Sequence, residues 1–285
     1  MSIQLAAVLG LVQGLAEFLP VSSSGHLNLI QALFHVNLEH QLLFNILLHM
    51  GTLIAVLAVF WKDWLQMILH PIRNRTLLLL FVASLPALAA KLAFSDQLDY
   101  LETHNLLLGV SFLLTGLLLM LTQAISRRNQ RARSETGEVK IRHALAMGCM
   151  QAVGMLPGVS RSGSTIFGGV ASRLDRETAA KFSFMMSMPA ILASFGSEGY
   201  KAYKAGALAQ TGDLTAILIG VAVACVSGYL AIRFMMRVIT RISLNWFALY
   251  VILLGIAVIL LQGAGILTEP AAETTGVAAG LSALF

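Results

Sequence analysis

Charge is scarce in this 285-residue sequence: Asp, Glu, Lys and Arg together make up 12%, against 57% hydrophobic residues. A soluble globule of this size needs polar side chains to cover its surface, and a mean hydropathy of +0.79 leaves too few. The chain therefore reads as an integral membrane protein. Cysteine is almost absent as well. Cys149 and Cys225 stand alone in apolar surroundings without metal-type spacing, which excludes a disulfide framework and a thiolate metal site. Both are expected to be small buried hydrophobes. Strands alternating apolar and polar residues, the mark of a membrane β-barrel, are missing, and stretches such as Leu77 to Ala90 are apolar all round. No basic residue precedes the first apolar run at Ile3 and no small-residue cleavage site follows it, so a cleavable signal peptide is not expected.

What is present is a set of long apolar runs, at 42–60, 77–94, 105–123, 179–197, 214–232 and 244–263. Each is long enough to cross about 30 Å of hydrocarbon. The formal charge of +5 is not spread evenly. Basic residues gather in alternate loops: Lys62, Arg73 and Arg75; Arg127, Arg128, Arg131, Arg133, Lys140 and Arg142; Arg173, Arg176 and Lys181; Arg233, Arg237 and Arg241. Only Lys91, Lys201 and Lys204 fall beside the opposite surface. This is positive-inside patterning rather than a nucleic-acid footprint, and no nucleic-acid partner is expected. With the basic loops cytoplasmic, the first three runs pass inward, outward and inward, leaving an acidic loop of Asp96, Asp99 and Glu102 outside.

The polar residues are concentrated in one phrase that occurs twice. Residues 13–26 read QGLAEFLPVSSSGH and residues 151–164 read QAVGMLPGVSRSGS, at a constant offset of 138. The offset pairs Gly10 with Gly148, Gln13 with Gln151, Val21 with Val159, Ser22 with Ser160, Ser24 with Ser162 and Gly25 with Gly163. Glu17, Ser23 and His26 are instead matched by Met155, Arg161 and Ser164. Each phrase is interrupted by proline and glycine, at Pro20 to Gly25 and Pro157 to Gly163, and so reads as two half-helices entering and leaving on one side. Broken backbone at membrane depth is tolerated where it is buried in protein or lines a wet cavity.

Three crossings per copy then turn the second copy upside down. The expected fold class is an all-α polytopic membrane protein, an inverted-topology repeat with three full crossings plus one re-entrant broken-helix hairpin per half. A single membrane domain would cover 1–285, with repeat one at 1–123, a mobile basic cytoplasmic linker at 124–142, inverted repeat two at 143–264 and a C-terminal tail at 265–285. The tail holds Glu269, Pro270 and Glu273 and receives no role. The repeat continues through Asn45 and His49, matched by Ser183 and Ser187, two polar stripes at helical spacing that face either the cavity or a neighbouring helix.

Glu17 is the one carboxylate in the motif regions and shares a helix face with Gln13. An intramembrane acid costs a few kcal/mol to insert, which makes it a functional candidate or half of a structural ion pair with Arg161. Ser22, Ser23, Ser24 and Gly25 form a turn where hydroxyls and N–H groups can meet an anion at a helix start. Arg161, flanked by Ser160 and Ser162 and followed by Gly163, supplies the fork suited to phosphate oxygens. His26 lies inside the break and can serve as acid, base or nucleophile. His35, His40, His70, His104 and His143 receive no role. An acid, an imidazole, hydroxyls and an arginine around an anion-sized turn suit hydrolysis of a phosphate ester or anhydride.

The first motif has the form (E/Q)xxxE, with Gln13 as the neutral option and Glu17, and the second has the form PGxSRSxxT from Pro157 through Gly158 and Arg161 to Thr165. With FLPVSSSGH between them in order, the chain resembles the bacterial undecaprenyl-pyrophosphate phosphatases of the bacitracin-resistance type. The resemblance implies an enzyme that removes the terminal phosphate of undecaprenyl pyrophosphate, recycling a lipid carrier for peptidoglycan and other envelope polymers. It also implies a divalent cation, Mg²⁺ or Ca²⁺, with Glu17 as its natural ligand, and a multi-pass protein of the bacterial cytoplasmic membrane whose site opens to the outer side. Glu17, Ser23, His26 and Arg161 are the expected catalytic residues. Gln13, Ser22, Ser24, Gly25, Gly158, Ser160, Ser162, Gly163 and Thr165 are the expected substrate-binding residues. Partners are then the polyprenyl pyrophosphate, membrane lipid and, as an allowed assembly, a second copy in a homodimer. Two rival readings stand beside this one: a lipid-phosphate transporter or flippase using the same anion site, and the other class of integral lipid phosphatases, echoed only by Ser24-Gly25-His26 and Ser160-Arg161.

Overall fold

Proline decides where the first polar phrase stops being helical. The residue before a proline is driven to extended backbone, and Leu19, ahead of Pro20, has φ −69° and ψ 137° at the end of helix α1 (Ile3–Phe18). The chain restarts as α2 (Ser23–Leu33), capped by the Ser22 hydroxyl, which accepts from the Gly25 N–H at 3.1 Å. The second phrase repeats the construction. Helix α7 (Ile141–Val153) ends at Gly154, Gly158 turns the chain at φ +83°, and α8 (Arg161–Ala171) starts under a Ser160 cap on the Gly163 N–H.

The computed structural model describes residues 1–34, 41–71, 74–104, 107–204 and 214–267. Among the described residues the regular structure is helical, with one isolated bridge between Thr136 and Leu174. The other helices are α3 (Gln41–Val59), α4 (Trp61–Leu69), α5 (Arg75–His104), α6 (Leu108–Arg131), α9 (Arg176–Lys204), α10 (Leu214–Val238) and α11 (Asn245–Gly263). Each of the six apolar runs falls on one of these. Helices α6, α10, α11 and the Arg75–Leu98 part of α5 are long and apolar enough to cross a membrane. Residues Phe44–Val59 of α3 and helix α4 form a pair bent by 81°. Helix α9 carries Arg176, Glu177 and Lys181 in its first turns and is not among the four.

The offset of 138 persists in the elements: α1 and α7 begin at Ile3 and Ile141, and α2 and α8 span 23–33 and 161–171. Packing is exchanged between the halves. Helix α1 lies along α10, while α7 lies along α5. Both contacts are backbone to backbone, because a Cβ on Gly10 would sit 2.3 Å from the Gly220 carbonyl oxygen and one on Gly148 would sit 2.4 Å from that of Ala83. Small residues at such crossings are what permits close helix association where lipid is as apolar as the side chains. Helices α6 and α11 meet similarly through Gly109 and Gly255. A buried cluster including Phe18, Trp64, Met147, Phe184, Met186 and Ile232 joins the halves.

Polar contacts collect the basic segments at one end of the bundle. Arg75 meets Glu138 at 3.0 Å, Lys181 meets Asp63 at 2.7 Å, and Arg176 donates to the Ile242 carbonyl at 2.8 Å. Lys91 donates to Ser197 at 3.2 Å, beyond Pro86 and Pro189 on the same two helices.

Three expectations need correction. The stretch 124–142 is not a mobile linker: α6 runs on through Arg131, and the rest docks on the α8–α9 connection, with Thr136 donating to the Arg173 carbonyl at 3.0 Å and Asn129 to the Val170 carbonyl at 3.0 Å. A helix rich in Gln, Arg and Ala has no reason to stop at the membrane surface. The acidic stretch from Asp96 to Glu102 is likewise helical, part of α5 beyond a kink at Phe94. Cys149 is exposed and Cys225 half-buried, because α7 spends its inward face on Met147 and Gly148 and turns the next residue outward. Arg73, His35, His40 and the tail residues Glu269, Pro270 and Glu273 lie outside the described residues.

Gly10→Val places a branched side chain against a backbone oxygen that cannot rotate away. The expected cost is about 1–3 kcal/mol, read as a lowered thermal midpoint of the purified protein in detergent. An unchanged midpoint contradicts the α1–α10 contact.

Candidate active site

Each helix break brings one charged group to the same place. Glu17 lies in the last turn of α1, Ser23 is the first residue of α2 and Arg161 is the first residue of α8. Arg161 Nη2 donates to Glu17 Oε1 across the two halves. Ser23 Oγ donates to Glu17 Oε2 at 2.6 Å, and Gln13 Nε2, one turn earlier on α1, donates to the same oxygen at 3.0 Å. The Glu17 side chain is 5% exposed and that of Arg161 19%. Desolvating a carboxylate costs several kcal/mol even after relaxation, so it is sustained by a paired cation and by hydrogen bonds to its remaining lone pairs. All three are present.

The breaks also touch directly. Ser162 Oγ lies 3.4 Å from the Leu19 carbonyl, and Pro20 packs beside Gly163. Two helix N-termini, those of α2 and α8, therefore open at one point. The first-turn N–H groups of Ser23, Ser24, Arg161 and Ser162 have no intrahelical acceptor, and two positive helix ends beside a guanidinium make a site for a multiply charged anion. Ser23 and Ser24 are half-buried, leaving part of their surface open to it.

Several residues expected to bind substrate also hold the breaks in shape. Ser22 and Ser160 are spent as helix caps, and the Ser160 N–H donates to Thr115 Oγ1 at 3.0 Å. Ser22 pays for its position with φ +74°, a backbone region that non-glycine residues rarely occupy. Gly25 leaves room for the Phe112 ring, and Gly158 turns against Leu108 and Ser111. Thr165 is 1% exposed and bonded to Ser183 Oγ at 2.6 Å, which makes that polar stripe an interhelical contact. Ser24 Oγ is 3.5 Å from Ser22 Oγ.

His26 is near this centre but is turned from Ser23. Its Nδ1 is 2.7 Å from the Ser22 carbonyl and its Nε2 is 2.7 Å from Tyr250 Oη on α11. Residue selection by motif missed Tyr250, which lies in an ordinary apolar run. It also left His49 undecided. His49 Nε2 is 3.6 Å from Glu17 Oε2, while Nδ1 bonds the Asn45 carbonyl at 2.8 Å, so the first stripe does face the site. The helical spacing of Asn45 and His49 was the available signal.

For a divalent cation the donor set is partial. Among the described residues no three His, Cys, Asp or Glu side chains cluster as a cage. Glu17 is joined, however, by Gln13 Oε1, a buried oxygen with no hydrogen-bond partner on the amide that touches it. A hard cation that keeps waters and takes substrate phosphate oxygens fits such a pair.

The family model described as "Bacitracin resistance protein BacA" matches residues 6–257. The chain is similar to an undecaprenyl-diphosphatase of Carboxydothermus hydrogenoformans, 39% identical over 91% of this chain and 97% of that one. It is also similar to undecaprenyl-diphosphatases of Halothermothrix orenii, 38% identical over 90% of this chain and 96% of the relative, and of Thermodesulfovibrio yellowstonii, 35% identical over the same shares. With the match running through both breaks and both halves, the chain belongs to the bacitracin resistance protein BacA family.

Proposed function

We propose that the two helix breaks form one active site in which Glu17 activates Ser23 against a pyrophosphate held by Arg161. The protein is an undecaprenyl-diphosphatase: it hydrolyses undecaprenyl pyrophosphate to undecaprenyl phosphate and inorganic phosphate, and confers bacitracin resistance as its family name implies. The observation that carries the site assignment is the Ser23–Glu17 hydrogen bond of 2.6 Å with Arg161 on the other carboxylate oxygen. A transporter needs an anion site but has no use for a hydroxyl paired with a base.

In the proposed sequence Ser23 Oγ attacks the terminal phosphorus and gives its proton to Glu17 Oε2. The bond to the bridging oxygen breaks, and undecaprenyl phosphate leaves. Water then attacks the phosphoserine; His26 takes the water proton, and Glu17 returns its proton to Ser23 Oγ as the P–O bond breaks. Arg161 and the first-turn N–H groups neutralise charge on the equatorial oxygens throughout. Glu17 and Gln13 would hold a divalent cation such as Mg²⁺ or Ca²⁺, which would supply further charge neutralisation.

The finer architecture is part of the same reading. Helices α2 and α8, at 11 residues each, are about 16 Å long, half of a membrane, as re-entrant half-helices should be. Element starts at the common offset and the exchanged packing of α1 and α7 support an inverted repeat. The collected basic residues support a cytoplasmic end, and a site open to the outer side of the bacterial inner membrane is what the family resemblance implies.

Purified protein in detergent is expected to release inorganic phosphate from a polyprenyl pyrophosphate, and Glu17→Ala to abolish the release. No release by folded wild type overturns the reading. Arg161→Lys keeps the charge but loses the fork, and is expected to lower kcat by about 10²–10³-fold; near-normal turnover sinks the role given to Arg161. Excess chelator is expected to stop turnover and added Mg²⁺ or Ca²⁺ to restore it, whereas full activity in chelator removes the cation from the account.

A further inference from the structure

The repeat relation extends to a pair that neither motif contains. Tyr250 of α11 stands at the offset of 138 from Phe112 of α6, and the two rings close on the same imidazole from different sides. Phe112 meets His26 edge-on, with centroids 5.4 Å apart and planes at 85°. Tyr250 is stacked on it, at 5.7 Å and 19°. The two mates differ by one hydroxyl, and that hydroxyl is what reaches His26 Nε2 at 2.7 Å.

Hydrogen-bond chemistry fixes what the contact does. A carbonyl can only accept, so the 2.7 Å contact with the Ser22 carbonyl places a hydrogen on Nδ1 of His26. In the neutral ring Nε2 is then the basic nitrogen, and Tyr250 donates to it. Ser22 is itself held with a left-handed backbone by its cap to Gly25, so one side of the imidazole is fixed by α2 and the other by α11. With Ser23 served by Glu17, the Nε2 lone pair is the base left for a second proton.

We infer that Tyr250 is the positioning residue for His26: its hydroxyl, absent from its repeat mate Phe112, fixes the imidazole through Nε2, the nitrogen left basic by the Ser22 contact. The inference rests on the proton-transfer role given to His26 above. It also extends the composite character of the site, since a residue of the first half is oriented by a hydroxyl of the second.

The test is a double-mutant cycle of Tyr250→Phe and His26→Gln, with phosphate release from a polyprenyl pyrophosphate as the readout. Tyr250→Phe retains the ring, so the thermal midpoint should not move. Its kcat is expected to fall about tenfold, part of the ~10²–10⁴ that a positioned acid or base contributes, with KM within about twofold of wild type. In the His26→Gln background the same substitution should change nothing further. Full activity of Tyr250→Phe, or an equal loss in both backgrounds, overturns the inference while leaving His26 in place. Full activity of His26→Gln removes the role of His26 itself, and Tyr250 with it.

Discussion

Everything at the centre of this protein depends on keeping one buried carboxylate paired. Glu17 can be there because Arg161 faces it from the other half of the chain, and Arg161 can be there because Glu17 does. Breaking such a buried pair by removing one partner costs about 3–5 kcal/mol, since the survivor is left charged and unmatched. The pair therefore holds two helix breaks against each other, with the Ser162 contact to Leu19 beside it. It also aligns the N-termini of α2 and α8 on one point. In the proposed reading, stability and anion recognition come from the same contact, and a phosphate at Arg161 would share a guanidinium already oriented by Glu17.

Duplication explains the scaffold, and its mismatches explain the chemistry. Identical pairs do symmetric work: Ser22 and Ser160 cap the two half-helices, and Gly10 and Gly148 let two helix crossings close to backbone contact. Unequal pairs carry the groups to which the proposed reaction gives roles. Glu17 stands opposite Met155, Ser23 opposite Arg161, His26 opposite Ser164 and Tyr250 opposite Phe112. A symmetric dimer of either half would lack a base, a hydroxyl with that base, or a guanidinium.

Much of this was legible in the sequence because its signals are local or periodic. The six apolar runs and the two breaks follow from hydropathy and from Pro20, Gly154 and Gly158, and Glu17, Ser23 and Arg161 converge as the repeated phrase suggested. What escaped depended on packing. Tyr250 has no motif around it, and only its distance to His26 marks it. The hydroxyls of Ser160, Ser162 and Thr165 read as ligands but are consumed by caps and interhelical contacts, a choice that composition cannot express. Helix α6 overran the expected linker because charge marks the membrane edge, not the end of a helix. Cys149 departs from expectation for the converse reason: apolar context does not tell core from lipid.

The central claim is that Glu17 and Arg161 act as one unit assembled from two halves, and a double-mutant cycle measures that directly. Glu17→Gln, Arg161→Gln and the double variant would be compared with wild type by kcat/KM for phosphate release, with folding checked by thermal midpoint. The account predicts strong coupling, the double variant being no worse than the poorer single variant. Losses that simply multiply would show two independent residues and contradict it.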